Sequence, residues 1–175
     1  MIQSKEDLEK WYASGDPWKY GANAEDIKRK KILLGELPDR EYSTVLDIGC
    51  GNGFITQDLP GNSILGVDLS ENAIKYARQN NKDARISFEE RNIFELYHTE
   101  NTFDLIVITG VLYPQYIGAS SNLIFIIIDR LLNKNGILVS VHINDWYNCR
   151  FPYDLFREHI YPYEKYLHRL EVYQK

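Results

Sequence analysis

The sequence predicts an α/β fold in which a mostly parallel sheet carries helices on both faces and ends in an antiparallel hairpin. Three observations carry this expectation. Apolar runs that read as strands alternate with segments of helical period, joined by short connections punctuated by Gly and Pro. Residues 103–109, Phe-Asp-Leu-Ile-Val-Ile-Thr, are almost continuously apolar, as a parallel strand covered on both faces requires. Near the carboxyl end, His168, Leu170 and Val172 alternate with Arg169, Glu171 and Tyr173, the period of a strand with one covered face.

The elements follow in order. Residues 3–15 read as a short polar helix carrying Trp11 and Tyr12, and Gly15-Asp16-Pro17-Trp18-Lys19-Tyr20-Gly21 reads as a loop. A second helix covers residues 23–37 and stops at Pro38, with Ile27, Leu34 and Leu37 inward and Lys28 to Lys31 mostly solvated. The first strand, residues 43–48, runs into a glycine turn, and residues 54–59 form a short helix closed by Pro60-Gly61. A second strand over residues 63–67 ends at Asp68, and Ser70 caps a helix over residues 71–80 that turns Ala73, Ile74 and Ala77 inward. The third strand covers residues 85–89 and the fourth residues 103–109, ending at Gly110. Ser120 or Ser121 caps an apolar helix through Leu132, and Asn135-Gly136 turns the chain into a fifth strand over residues 137–143. Residues 151–163 and 166–173 form the late antiparallel pair.

With 175 residues and 44% hydrophobic content, the chain supports one substantial core, so residues 1–175 read as a single domain. A formal charge of -5 argues against a broad phosphate-neutralising surface, so no nucleic-acid partner is expected and a small-molecule substrate is. The longest unbroken apolar run, residues 123–128, is far below the roughly 20 residues that span a bilayer. The amino-terminal stretch Ile2-Gln3-Ser4-Lys5-Glu6-Asp7 is no signal peptide, so no membrane partner is expected and the localisation reads as cytoplasmic. Cys50 and Cys149 show neither metal-ligand spacing nor the density of a disulfide scaffold, so both read as free thiols and no metal is expected.

The stretch Val45-Leu-Asp-Ile-Gly-Cys-Gly-Asn-Gly53 is the chemical centre. An apolar run ends in an acid, then glycines at alternate positions let the backbone approach a ligand closely. In an open parallel sheet ligands sit beyond the carboxyl ends of the strands, where strand order reverses. A dinucleotide fingerprint spaces its glycines Gly-x-Gly-x-x-Gly, whereas Gly49-Cys50-Gly51-Asn52-Gly53 brings the third glycine one residue early. Asp68, ending the second strand, can accept hydrogen bonds from both hydroxyls of a ribose.

On these residues the chain resembles the class I S-adenosylmethionine-dependent methyltransferases over nearly all its length. Asp47 to Gly53 is similar to that family's first motif, and Gly66-Val67-Asp68-Leu69-Ser70 to its second. The resemblance implies a Rossmann-like, seven-stranded, mostly parallel sheet with helices on both faces. It implies S-adenosyl-L-methionine as cofactor, with S-adenosyl-L-homocysteine as product. Asp68 then binds the ribose, with Leu69 beside it, while Gly49, Gly51, Asn52 and Asp47 sit close to the methionine portion. The Thr109 carbonyl, in a stretch like the family's fourth-strand motif, faces the cofactor's amino group. Many members place an Asp after the third strand to receive the adenine amino group; here it is Asn92, whose side-chain oxygen can still accept, with the Ile93 amide donating to the ring. Under this reading residues 1–38 are an N-terminal helical cap, residues 43–143 the cofactor-binding core, and residues 144–175 a substrate-side loop and terminal hairpin.

A narrower resemblance begins at Asp16-Pro17-Trp18-Lys19-Tyr20, continues with Asp26 and Arg29, and resumes at Val111-Leu112-Tyr113. It is similar to the nodulation protein S group, which N-methylates the sugar amine of a chitooligosaccharide. This implies that the amino-terminal segment folds over the cofactor with Trp18, Tyr20 and Arg29 near its methionine end, a guanidinium suiting a carboxylate there. Packing of the first helix on the sheet is the other role open to Trp18 and Tyr20.

Methyl transfer from a sulfonium is an in-line displacement, so the protein must hold the nucleophile near the methyl, at roughly 3 to 3.5 Å. The acceptor must also lose a proton. His142, near the end of the fifth strand, is the histidine expected at the carboxyl edge and is the proposed general base, the alternative being a structural histidine. His98, His159 and His168 take no role. Tyr113, Tyr116, Trp146, Tyr147 and Tyr153, with Asn144 and Asp145, are expected around that edge, where aromatic faces beside polar groups suit a sugar or another amphipathic small molecule. Cys50 reads as a small buried spacer. The leading function is a small-molecule methyltransferase, possible acceptors being an aminosugar or another amine. The rivals are a methyltransferase acting on nucleic acid or protein, and a non-catalytic S-adenosylmethionine-binding protein. The absence of Asn-Pro-Pro-Tyr after the fourth strand counts against the first rival.

Overall fold

The first described helix, α1 (Lys5–Tyr12), starts where the Ser4 hydroxyl accepts the Asp7 amide at 3.2 Å. The computed structural model describes residues 4–175, so residues 2 and 3 of the amino-terminal reading, and residue 3 of the expected helix, lie outside the described residues. α1 is shorter than expected because the chain turns at Gly15, whose φ of 88° lies in the left-handed region. In α2 (Ala24–Glu36), Asn23 Oδ1 accepts the Glu25 amide at 3.0 Å. It ends with Leu37 already extended, the conformation that a following proline imposes.

Seven strands form one sheet: β1 (Thr44–Ile48), β2 (Ser63–Asp68), β3 (Ile86–Glu90), β4 (Phe103–Thr109), β5 (Leu132–Ile143), β6 (Asp154–Tyr163) and β7 (Tyr166–Gln174). Their order is β3-β2-β1-β4-β5-β7-β6, parallel through β5, with β7 antiparallel to both β5 and β6. This is the Rossmann-like sheet with a terminal hairpin that the sequence predicts. The intervening helices are α3 (Glu71–Asn80), the single-turn α4 (Pro114–Ile117) and α5 (Ser121–Leu131). The short helix expected at residues 54–59 is a 3-10 turn, Thr56–Asp58, and a second 3-10 stretch, Ile93–His98, was not anticipated.

β5 begins at Leu132 rather than at residue 137. Leu132 pairs with Phe103 and Ile137 with Leu105, so residues 133–136 bulge out of the ladder. The Asn135 amide donates to the Lys175 carbonyl at 3.0 Å, and the Lys175 amide returns to the Gly136 carbonyl at 3.1 Å.

Period-two alternation divides the core. Val45, Leu105, Val107 and Val139 face α2 and the hairpin, packing with Leu33, Tyr161 and Leu170. Their neighbours Leu46, Ile106, Ile108 and Leu138 face α5, packing with Ile124, Ile127, Ile128 and Leu131. α3 adds Ile74 and Ala77 against Phe88 of β3. Each fully buried aliphatic side chain stabilises the fold by about 1.5–3 kcal/mol relative to exposure. Among the described residues no helix is long and apolar enough to cross a membrane, and no cluster of His, Cys, Asp or Glu could hold a metal ion.

Candidate functional site

β1 lies between β2 and β4, so strand order reverses there and the carboxyl ends of β1 and β4 diverge into a cleft of about 270 Å³. Two loops meet at its floor. Gly49 has a φ of 77°, and a Cβ there would lie 2.2 Å from Val111 Cγ2 and 3.3 Å from the Thr109 carbonyl. Only glycine lets the turn after β1 pass beneath the loop after β4. Gly110, with a φ of 69°, has no atom within 4 Å of a Cβ position and borders open cleft.

Asp68 joins the two expected motifs. Its Oδ2 accepts the Gly51 amide at 3.0 Å and its Oδ1 the Ser70 amide at 2.9 Å. Burial pushes its carboxyl above the ordinary range, and these amides oppose that shift. Leu69, Asn92, Ile93 and Thr109 line the cleft with it. Asn92 Oδ1 accepts the Phe94 amide at 3.0 Å, and Glu95 reciprocates by accepting the Asn92 amide at 2.9 Å. One lone pair of the oxygen expected to receive adenine therefore caps the Ile93–His98 turn.

Asp47, Gly51 and Asn52 do not line the cleft. Asp47 is fully buried beneath the loop and accepts the Thr56 hydroxyl at 2.6 Å, its Oδ1 unpartnered; burial raises its carboxyl to about 7. It points away because it shares the strand face of Val45, which packs toward α2. Gly51 acts through its amide on Asp68, and Asn52 Oδ1 accepts the Phe54 amide at 3.2 Å.

The amino-terminal segment makes one wall. Trp18, Tyr20 and Arg29 all line the cleft, as does Tyr12 of α1, which the sequence reading missed. Trp18 stacks on Tyr20 at 5.6 Å, and Tyr20 on Phe54 at 5.7 Å, so both aromatics pack and face the cleft at once. The Arg29 guanidinium lies 5.5 Å from the Tyr20 ring centroid and 5.7 Å from that of Tyr163. It pairs with buried Asp26 at 2.9 Å, and Asp26 Oδ1 also accepts the Tyr163 hydroxyl at 2.8 Å. α1 is clamped to α3 by Glu9, whose carboxylate accepts the amides of Glu71 at 2.6 Å and Asn72 at 3.2 Å.

His142 requires a correction. Its side chain is outside the cleft lining and only 1% exposed. Nε2 accepts from Arg169 at 3.0 and 3.2 Å, and burial together with the Arg169 charge lowers its pKa to about 3. This is not the cleft-facing position at the carboxyl edge that a general base was expected to occupy. The histidine in the cleft is His168, given no role from sequence, which lies flat on Tyr163 with centroids 4.1 Å apart and planes at 6°. The aromatic group also divides: Tyr113 and Tyr116 line the cleft, while Tyr147 packs on His142 and Tyr153 bonds Asp129. Trp146 sits outside it, edge-on to Tyr113, and Asn144 bonds its neighbour Asp145.

One signal could have located His168 and Tyr163. A strand antiparallel to β5 must begin at the carboxyl end of β5, so the β6–β7 turn returns to the ligand edge, where His168 pairs with Ile143.

Residues 39–171 match a family model described as methyltransferase domain. A release factor glutamine methyltransferase of Fusobacterium nucleatum is 32% identical over 114 residues, 57% of this chain and 32% of that protein. A ribosomal protein L11 methyltransferase of Thermotoga maritima is 32% identical over 133 residues, 72% of this chain and 47% of that protein. The chain thus spans less than half the length of these curated relatives. Among solved structures, the N-methyltransferase NodS from Bradyrhizobium japonicum WM9, in complex with S-adenosyl-l-homocysteine, superposes with a TM-score of 0.83 over 98% of this chain and 97% of that one. At 22% identity this likeness concerns the fold.

Proposed function

The chain belongs to the methyltransferase domain family, and on that premise we propose that it transfers the methyl group of S-adenosylmethionine to a small molecule, an aminosugar or another amine being the acceptor class. The observation that carries this reading is the half-buried Asp68 carboxylate, fixed by the Gly51 and Ser70 amides at the edge of a cleft at the strand-order reversal.

The residues present fit that cofactor. Asp68 offers carboxylate lone pairs to a ribose, Asn92 and Ile93 line the adenine side, and Gly110 leaves the floor open where any side chain would fill it. Trp18, Tyr20 and Arg29 form the wall at the methionine end. When bound, S-adenosylmethionine supplies an electrophilic methyl on a sulfonium, whose S–C electron pair stays on sulfur as the methyl leaves. The chain's own contribution is positioning in a site shielded from water by α1 and the aromatic wall. Asp47 and Gly51 support the loop from below, and His142 anchors Arg169 instead of moving a proton.

NodS, an N-methyltransferase solved with adenosylhomocysteine, matches this chain almost end to end, which supports a nitrogen acceptor. The relatives named for release factor glutamine and ribosomal protein L11 favour a protein acceptor as the second reading. Calorimetry with S-adenosylhomocysteine and with NAD tests the donor site: tight NAD binding without adenosylhomocysteine binding sinks it. A labelled-methyl screen over aminosugars, amines and phenols tests the acceptor, and labelling of ribosomal protein or release factor alone would favour the second reading.

A further inference from the structure

We propose that His168 is the group that contacts the methyl acceptor, taking a hydrogen bond from the N–H of a neutral amine and thereby turning the amine lone pair toward the methyl. This rests on the methyltransferase reading of the cleft. The imidazole is 4% exposed, yet it lines the cleft, and its Nδ1 is buried without a hydrogen-bond partner. Leaving a buried polar atom unpaired is costly, a penalty expected where a ligand completes the site.

The ring is also held in one orientation. Tyr163 stacks flat against it, the Tyr163 hydroxyl is tied to Asp26, and Asp26 is tied to Arg29, so the cleft wall fixes the imidazole plane. Tyr161 packs edge-on at 5.8 Å. Burial and the Arg29 charge hold the ring neutral, with its pKa lowered to about 4, so that it has a lone pair to offer.

The same surroundings explain how an amine could arrive unprotonated without a general base. Desolvation and the Arg29 guanidinium, which disfavour charge on the imidazole, act likewise on an amine beside it. In the transfer the acceptor nitrogen forms the N–C bond, takes the positive charge the sulfonium loses, and then releases its proton to water. His168 orients the nitrogen and keeps its own charge state throughout. Tyr113, whose oxygen accepts the Ile143 amide at 2.8 Å, retains its hydroxyl proton on the same side of the cleft.

The test uses the full chain with glucosamine and benzylamine as probes. In adenosylhomocysteine-saturated protein, the His168 ring nitrogens, assigned by comparison with His168→Phe, are followed by nitrogen-15 NMR as each amine is added. A shift with at least one amine is expected, and no movement with either overturns the proposal. Labelled-methyl transfer to the responding amine should fall about 10- to 100-fold in His168→Phe, the range of one buried hydrogen bond left unmade, and be partly rescued in His168→Gln. Adenosylhomocysteine affinity should stay within about threefold in both variants, since neither change touches Asp68. Transfer within twofold of wild type in His168→Phe overturns the proposal even if the resonances move. If wild type fails to bind adenosylhomocysteine, the donor site itself fails; binding with a silent His168 rejects the acceptor contact alone.

Discussion

The Gly51 amide donates to Asp68 Oδ2 at 3.0 Å, so the glycine turn after β1 and the acid that ends β2 form one unit. Under the proposed donor site, Asp68→Ala removes the proposed ribose ligand and loosens the loop together. Adenosylhomocysteine affinity should fall about 10- to 150-fold, the worth of one hydrogen bond to a charged group. Calorimetry checks this, and unchanged affinity would remove the ribose assignment.

His142 stays neutral in its bond with Arg169, its pKa lowered to about 3. His142→Ala should leave the shape of the pH–rate profile intact between about pH 6 and 9. Stability should fall by about 2–4 kcal/mol, because a buried cavity forms and Arg169 loses a partner. Urea unfolding and a rate profile measure the two effects. Disappearance of an ionisation from the profile would restore the general-base assignment.

Asp47 gives stability a pH dependence of known sign. Its folded pKa is raised from 3.8 to about 7, so between those values the native state binds the proton that the unfolded state releases. Its contribution is full below 3.8 and is lost as pH rises through about 7. The stability of wild type relative to Asp47→Asn should therefore be greater at about pH 5 than at about pH 8 in urea unfolding. A difference that grows with pH would contradict the burial of this carboxyl. The lowered histidines act in the opposite sense: the contributions of His142 and His168 are present above 6.5 and fade as pH falls toward about 3 and 4.

Glu9 ties α1 to the amino terminus of α3 through the Glu71 and Asn72 amides. Glu9→Ala should cost about 1 kcal/mol, the usual worth of a lost cap. It should also speed protease cleavage within residues 13–22, and adenosylhomocysteine should slow that cleavage in wild type by ordering the wall that Tyr12 and Trp18 form. Limited proteolysis with and without the ligand reads both, and identical rates in all four samples would show that α1 does not close on the site.

Much of the fold was legible because its signals are local. The continuous apolar run of β4 and the alternation along β7 each report the faces a strand buries, and Ser70 and Pro38 mark helix ends by hydrogen bonding and sterics. The glycine turn and Asp68 were legible for the same reason. Residues 133–136 misled because Asn-Gly reads as an ordinary turn, whereas the Lys175 backbone pairs with it and extends β5 back to Leu132.

The order of elements and the chemistry at the ends of β1 and β2 thus follow from the chain's own pattern. Which side chains meet across the cleft does not. His142 and Ile143 are adjacent, yet Ile143 lines the cleft and His142 lies against Tyr147 and Arg169, because consecutive residues of a strand point to opposite faces. Pairing of β7 with β5 then sets His168 opposite Ile143. A one-residue shift in register would reverse every such choice, and the register is set by long-range packing of the hairpin on the sheet.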